Sequence, residues 1–434
     1  MKNSIKPMSR IGASILCALV LLAQLPSAAA TIPANLNLAS TVKSTTAPAA
    51  GVISIGGKNI SIASGAPITP AEAMALSQVL STGSQSLILS AAGRAIGGSA
   101  VLAGALNLSS LLVPRAVTII RDASQSNSLS LTGDVTNSGK LYFVSTNSAV
   151  NIASVSAYDI VNNRGALLSS VLPNAGLAAI GNAISDLSLS LSASHAIFNA
   201  GTISSASNLT LSGGGTTPLL IANRGLIQAT QGDINLVNGS DIIVNNAGGT
   251  IQAANGNINF RDASYTGSGN ILLNSGNWIA NNINLNSGQG TISGNIGNVV
   301  GVLNENANNI DLFANSRNLQ LGNTTASGDP TFYNIGSITI TGNVSATEDI
   351  AILATGSITA DSSVTSISTS GTGSNITIVA GANISPNAPL PFCNGCFNSV
   401  GSSGNHVAGG PVTINPKTPL GGNIDFSQAT LVID

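Results

Sequence analysis

Cys393-Asn394-Gly395-Cys396 is the stretch whose spacing could do covalent chemistry. Two cysteines held two residues apart can close a small disulfide, bind a metal, or cycle between thiol and disulfide. A redox role calls for a βαβ setting and a helix N-terminus under the first cysteine. Here the flanks are Pro391-Phe392 and Phe397-Asn398, which read as loop. No histidine follows Cys396, so c-type haem attachment is excluded. A structural disulfide between Cys393 and Cys396 is the expected state if the chain leaves the cytoplasm. Free thiols and a redox or metal role are the alternatives.

Acid-base chemistry has little material. The sequence holds two histidines, His195 and His406, and any Ser-His-Asp triad needs one of them. His195 lies in a strand-like Ser-Ala-Ser-His-Ala stretch, and no Gly-x-Ser-x-Gly elbow opens a helix. Two histidines are also too few for a His-based zinc site. Asp233 and Asp349 precede an isoleucine in equivalent positions, whereas Asp311 and Asp425 follow one. A glycosidase needs carboxylates facing each other, and these lie far apart along the sequence. Arg121-Asp122-Ala123-Ser124 recurs as Arg261-Asp262-Ala263-Ser264, which reads as local ion pairs at turns. Gly213-Gly214-Gly215 leads to Thr-Thr-Pro rather than to a helix, so it is no phosphate loop. The Gly-Gly-x-Gly-x-Asp calcium nonapeptide is missing. Trp278 and four tyrosines are too few for a long sugar-stacking platform, and core or corner packing is expected of them. No catalytic, cofactor-binding or metal site is expected.

The elements around these residues must be strands. Charged residues make up 7% of the chain, against about 25% in an ordinary globular protein. Hydrophobic residues make up 43%, enough for a core, so disorder is not expected. The surface is left to Ser, Thr, Asn, Gln and Gly, which are poor helix formers.

Residues 1–30 read as a signal peptide. Lys2, Lys6 and Arg10 form its basic region, 11–25 its apolar region, and Ala28-Ala29-Ala30 its cleavage site, so the mature chain starts at Thr31. A retained membrane anchor is the alternative, but the apolar run falls short of about 20 residues. Leu16 before Cys17 makes a poor lipoprotein box. The full chain has 14 basic and 16 acidic residues; without the three leader cations the mature chain has 11 and 16, a net of −5. An acidic chain without a basic cluster disfavours nucleic acid and anionic membrane as partners. No later apolar run is long enough to span a membrane.

Residues 31–115 are expected to form an N-terminal cap region. Val52–Ile55 and Ile60–Ile62 suggest a hairpin. Thr69, Pro70 and Glu72 form a capping box that predicts a helix near 70–80. Such a helix would cover the exposed end of a strand stack.

From 116 to 434 the chain repeats. Gly-Asp-Ile-Asn-Leu at 232–236 returns as Gly-Asn-Ile-Asn-Phe at 256–260. The leading isoleucines are 234, 258, 271, 283, 310, 338, 350, 376 and 424, with spacings near 12–13 or its multiples. A second unit, Asn199-Ala-Gly-Thr-Ile203, recurs at 223–227 and 246–251, with earlier forms at 137–141 and 163–167. Apolar-polar-apolar alternation is a strand with one buried face, and Asn-Gly pairs suit tight corners. Two strands per roughly 24 residues then form one coil of a parallel β-helix, on the order of a dozen coils in all. Corner asparagines are expected to stack in ladders along the axis. Residues 168–186 and the proline-rich 386–420 break the rhythm and read as excursions.

These paired units resemble the repeats of filamentous haemagglutinin-like bacterial proteins, over roughly residues 125–385. That resemblance implies an all-β, right-handed parallel β-helix displayed on the cell surface, often through two-partner secretion. The family's Asn-Pro-Asn-Gly-Ile secretion motif is absent, the one Asn-Pro being Asn415-Pro416. The expected function is a secreted or surface-exposed structural and adhesive protein without catalytic activity. Its expected partners are host or environmental surface glycans or proteins, with no nucleic acid and no cofactor. The alternatives are a carbohydrate-active β-helix enzyme and the N-terminal part of a longer repetitive adhesin.

Overall fold

The computed structural model describes residues 115 and 117–381, apart from 125, 174–182, 362, 365, 373 and 375, together with isolated strands towards either end. Every regular element among the described residues is a β-strand, and none is a helix long and apolar enough to cross a membrane. The strands stack in parallel as a solenoid of about 11 coils. The fold class read from the repeats is therefore the observed one.

Each coil from 135 to 300 carries three strands, one on each of three faces, rather than the two expected. On face I, Val155, Leu191, Leu211, Leu236, Phe260 and Leu285 follow one another inward from coil to coil. On face II the inward ladder runs Leu219, Ile242, Ile271, Ile292 and Ile310. On face III it runs Ile119, Leu141, Leu168, Ile203, Ile227, Ile251, Trp278 and Val299. All of these residues are buried in one continuous core. Period-2 alternation sends every second side chain there, and each apolar row is covered only by the coils above and below. The two repeat units now separate. Asn-x-Gly-x-Ile feeds face III, whereas Gly-Asn-Ile-x-Leu supplies face I at Ile234, Ile258 and Ile283 but face II at Ile271 and Ile310. This double use explains the 12–13 residue spacing.

The asparagine ladder is present and buried. Asn137 Nδ2 donates to Asn162 Oδ1 at 2.8 Å, Asn162 to Asn199 at 2.8 Å, Asn199 to Asn223 at 2.8 Å and Asn223 to Asn246 at 2.7 Å. The same Nδ2 groups also donate to strand carbonyls such as Thr202 O and Leu226 O. Each Oδ1 of Asn137, Asn199 and Asn223 accepts the amide of the glycine two residues on. That glycine is required, because a Cβ on Gly201 would meet the Ala166 carbonyl and one on Gly225 the Gly201 carbonyl. In the second coil the ladder residue is Asn162, not Asn163; two extra residues, with Gly165 at φ 77°, absorb the shift before Leu168.

Above residue 300 the coils shorten from 24 residues to about 20, as the cross-coil bonds between Asn199 and Asn223 and between Asn309 and Asp329 record. Face III ends at Val300. Face I divides at a bulge, its two halves continuing as 318–321 and 324–326 within strand Asn318–Ala326.

The excursion expected at 168–186 leaves the coil after Ser169, and its flanks fold back over face III. Leu172 and Ala183 pack there against Ile120, Tyr142 and Val144. The parallel ladder also reaches back before 116, since Gln85–Ile88 pairs with Leu108–Val113 and Gly98–Ala103 with Val117–Asp122. Val52–Ile55 and Lys58–Ser61 form the expected antiparallel hairpin. Ile424–Asp425 and Leu431–Ile433 close the ladder. The leader at 1–30, the helix at 70–80 and most of 386–420 lie outside the described residues.

Candidate functional site

The aspartates before the isoleucines do backbone work. On the edge between faces III and I, Asn208 Oδ1 accepts the amide of Asp233 at 2.9 Å, and Asp233 Oδ1 accepts that of Asn257 at 2.7 Å. On the edge between faces I and II, Asp134 accepts from Asp159, Asp159 from Ala196, Asp241 from Asn270, and Asp329 from Asp349. Each Asx oxygen thus satisfies an amide one coil further on, where a corner interrupts the ladder. Asp233 and Asp349 sit on different edges several coils apart and form no facing carboxylate pair.

Asp311 points outward from face II, between Ser293 and Thr331 of the neighbouring coils. Burial pushes its carboxyl up to about 6. Burial, and then the Asp311 charge, push the nearby Tyr333 phenol up to about 12. Tyr333 packs beside Phe313, Ala351, Leu353 and Val379, an apolar cluster on the outside of this face.

His195 Nδ1 lies 2.8 Å from Asp159 Oδ1, and its ring stacks on Tyr158 with centroids 5.1 Å apart and planes 13° from parallel. Both rings are about half exposed. Burial raises the Asp159 carboxyl, and the hydrogen bond and charge of His195 act against that shift. Among the described residues Asp159 is the side chain that hydrogen-bonds His195, and no serine or cysteine side chain does. Trp278 is buried on face III, tilted against Phe260, with Nε1 donating to Ser275 O at 3.0 Å. Cys393, Cys396 and His406 lie outside the described residues, the cysteines between strands Asn383–Pro386 and Phe397–Val400. Asp425 is described by its backbone alone.

The outer side of face I is the most regular surface. Its ladder runs Ser154, Ser190, Thr210, Asn235, Asn259, Asn284 and Asn304, one residue per coil. Asn259 Nδ2 donates to Asn235 Oδ1 at 2.9 Å, Asn284 to Asn259 at 2.7 Å and Asn304 to Asn284 at 2.9 Å. Adjacent rungs are about 4.8 Å apart. The row is uncharged and made of hydroxyl and amide groups. Comparison with protein-family models, with curated proteins and with solved structures finds no match to this chain. The site is therefore read from its own chemistry.

Two features escaped the sequence. Arg121 and Arg261 are buried, and their tetrapeptides are not simply turn ion pairs. Arg261 donates to the backbone carbonyls of Asn238, Asn286 and Ser240, with its guanidinium 4.3 Å from the Tyr265 ring centroid. Arg121 donates to Ser126 O at 2.7 Å. The aspartates beside them instead accept from Ser124 and Ser264 two residues on. Glu305 is the second feature. It lies in the inward ladder directly after Leu285 and before Thr324. Thr324 Oγ1 bonds its Oε2 at 2.7 Å, and Oε1 is buried without a partner. Burial holds its carboxyl well above the usual 4.5. The repeated tetrapeptide hinted at the arginines; the alternation Leu303-Asn304-Glu305-Asn306-Ala307, which turns the acid inward, was the signal for Glu305.

Proposed function

We propose that this chain is an exported, surface-displayed structural and adhesive β-solenoid whose contact surface is the outer side of face I. The observation that carries the reading is the unbroken Ser154–Asn304 row of outward hydroxyl and amide groups. Such a row offers donors and acceptors at a fixed repeat to a polymer that is itself neutral and repetitive. Rigid presentation lowers the ordering cost of binding, so many weak hydrogen bonds can add. A neutral glycan surface fits that chemistry best. The leader sequence at 1–30 supports export.

The reading is tested with residues 31–434 incubated on a panel of insoluble and immobilised polysaccharides, following bound protein and released sugar together. Retention on a neutral glycan is expected without soluble product. The triple variant Asn235→Ala, Asn259→Ala, Asn284→Ala should lose at least about tenfold in retention while its melting temperature stays close to wild type. Unchanged retention in that variant removes face I as the contact surface. Sugar release that depends on the folded chain replaces the adhesive reading with an enzymatic one.

A further inference from the structure

The few charges of this solenoid are sorted by edge. Arg115, Lys140, Arg164, Arg224 and Arg317 are all exposed, and all follow a face II strand on the edge where that face ends. None has a side-chain partner among the described residues. No described acidic residue lies on that edge. The opposite edge of face II carries Asp134, Asp159, Asp241, Asp262, Asp329, Glu348 and Asp349. Arg261 on that edge is buried with its guanidinium on backbone carbonyls, and His195 is hydrogen-bonded to Asp159, so neither is presented as an exposed free cation. Face II thus lies between a negative edge and a positive edge.

Along the axis the cations of one edge lie in the same coil as an acid of the other, or one coil from it. Asp134 and Lys140 bracket one face II strand, and Asp159 and Arg164 bracket the next. Arg224 and Asp241 lie one coil apart, as do Arg317 and Asp329. We propose that the positive edge is an interface for a second copy of this chain, seated by its negative edge, with the two solenoid axes parallel and nearly in register. A parallel copy set beside the first brings each cation within about one coil, roughly 5 Å, of an acid along the axis. The contact joins different surfaces of the two copies, so each added copy leaves one positive and one negative edge open. The assembly is then a growing lateral row rather than a closed dimer. A linear polyanion is the competing occupant, and it would have no use for the matching acidic edge. The proposal is independent of the glycan contact on face I, so either can fail alone.

Sedimentation velocity of residues 31–434 tests it. Wild type should form a concentration-dependent series of larger species at about 20 mM salt, and its apparent dissociation constant should rise at least tenfold by about 500 mM salt. Two variants separate the edges. Lys140→Gln, Arg164→Gln, Arg224→Gln, Arg317→Gln removes the positive edge. Asp134→Asn, Asp329→Asn, Glu348→Gln weakens the negative edge while keeping amide oxygens for the corner hydrogen bonds. Each variant alone should remain monomeric at low salt with an unchanged circular dichroism spectrum. Mixed together they should form one-to-one pairs and stop there. Wild type that stays monomeric at low salt would overturn the proposal, as would a negative-edge variant that associates like wild type. Retention of such a monomer on polygalacturonate beads would assign the positive edge to an anionic polymer instead.

Discussion

Glu305 occupies a rung that its neighbours fill with leucine, phenylalanine and valine. The rung lies where face I divides, and Thr324 on the next coil is the polar partner that makes it tolerable. The buried carboxyl keeps its proton in the folded chain and loses it in the unfolded chain near 4.5. The folded state therefore binds more protons, and stability falls as pH rises from about 4.5 towards the folded value. Below that window the acid is neutral in both states and its titration has no effect. Glu305→Leu should accordingly raise stability, by about 1–4 kcal/mol at pH 8 and by clearly less at pH 4. Glu305→Gln should flatten the same pH dependence without filling the rung with apolar atoms. Melting curves of the three proteins between pH 4 and 8 check both. A Leu variant that melts lower than wild type at pH 8 would mean that the acid holds the junction together. Alternation from Leu303 through Glu305 to Ala307 sends the acid inward, so its side was legible. What the sequence did not show is the extra residue in the next strand, between Leu321 and Thr324, that sets the Thr324 hydroxyl beside it.

At the scale of the strand, two asparagine ladders of the same residue type should behave differently. The Asn137–Asn246 ladder is buried, and each amide serves its neighbour, a glycine amide or a strand carbonyl. Removing Asn199 takes one hydrogen bond each from the Asn162 amide, the Asn223 amide oxygen, the Gly201 N–H and the Leu226 carbonyl. The outward Asn235–Asn304 ladder is half exposed, and water can replace a lost amide. Asn199→Ala should cost about 2–4 kcal/mol, whereas Asn259→Ala should cost under about 1 kcal/mol. Thermal melts of the two single variants decide the matter, and equal losses would refute the distinction. Much of this was legible beforehand. Asn-x-Gly announced both the ladder and the corner, since the asparagine bonds the glycine amide and the glycine clears the carbonyl below. The number of faces was not legible, because one motif, Gly-Asn-Ile, starts strands on two of them. Nor was the sorting of charge between edges. It depends on which coil each residue joins, and the extra residues at 163–165 and the excursion after 169 shift that count.

At the scale of the whole stack, stability should be local and additive, because each coil meets only its two neighbours. Removing a complete coil should then leave a shorter solenoid of the same design. Deleting residues 200–223 takes out one 24-residue repeat between equivalent ladder asparagines. It joins Asn199 directly to Arg224-Gly225-Leu226-Ile227, which restores the corner motif. Asn199 would then donate to Asn246, Ile227 would lie on Leu168, and Leu236 on Leu191. Every one of these contacts joins residue types that already meet in the intact stack. Deleting 200–211 removes half a coil instead and leads the chain into a face I position with a face II strand. The first variant should keep a β-rich circular dichroism spectrum and melt cooperatively within a few degrees of wild type. The second should lose cooperative melting or aggregate, since half a coil leaves neighbouring strands without ladder partners and apolar rows uncovered. If both deletions fold equally well, the register set by the ladders does not govern the stack. If the whole-coil deletion fails to fold, coils cooperate over a longer range than their nearest neighbours, and the 24-residue repeat is not the unit that carries stability.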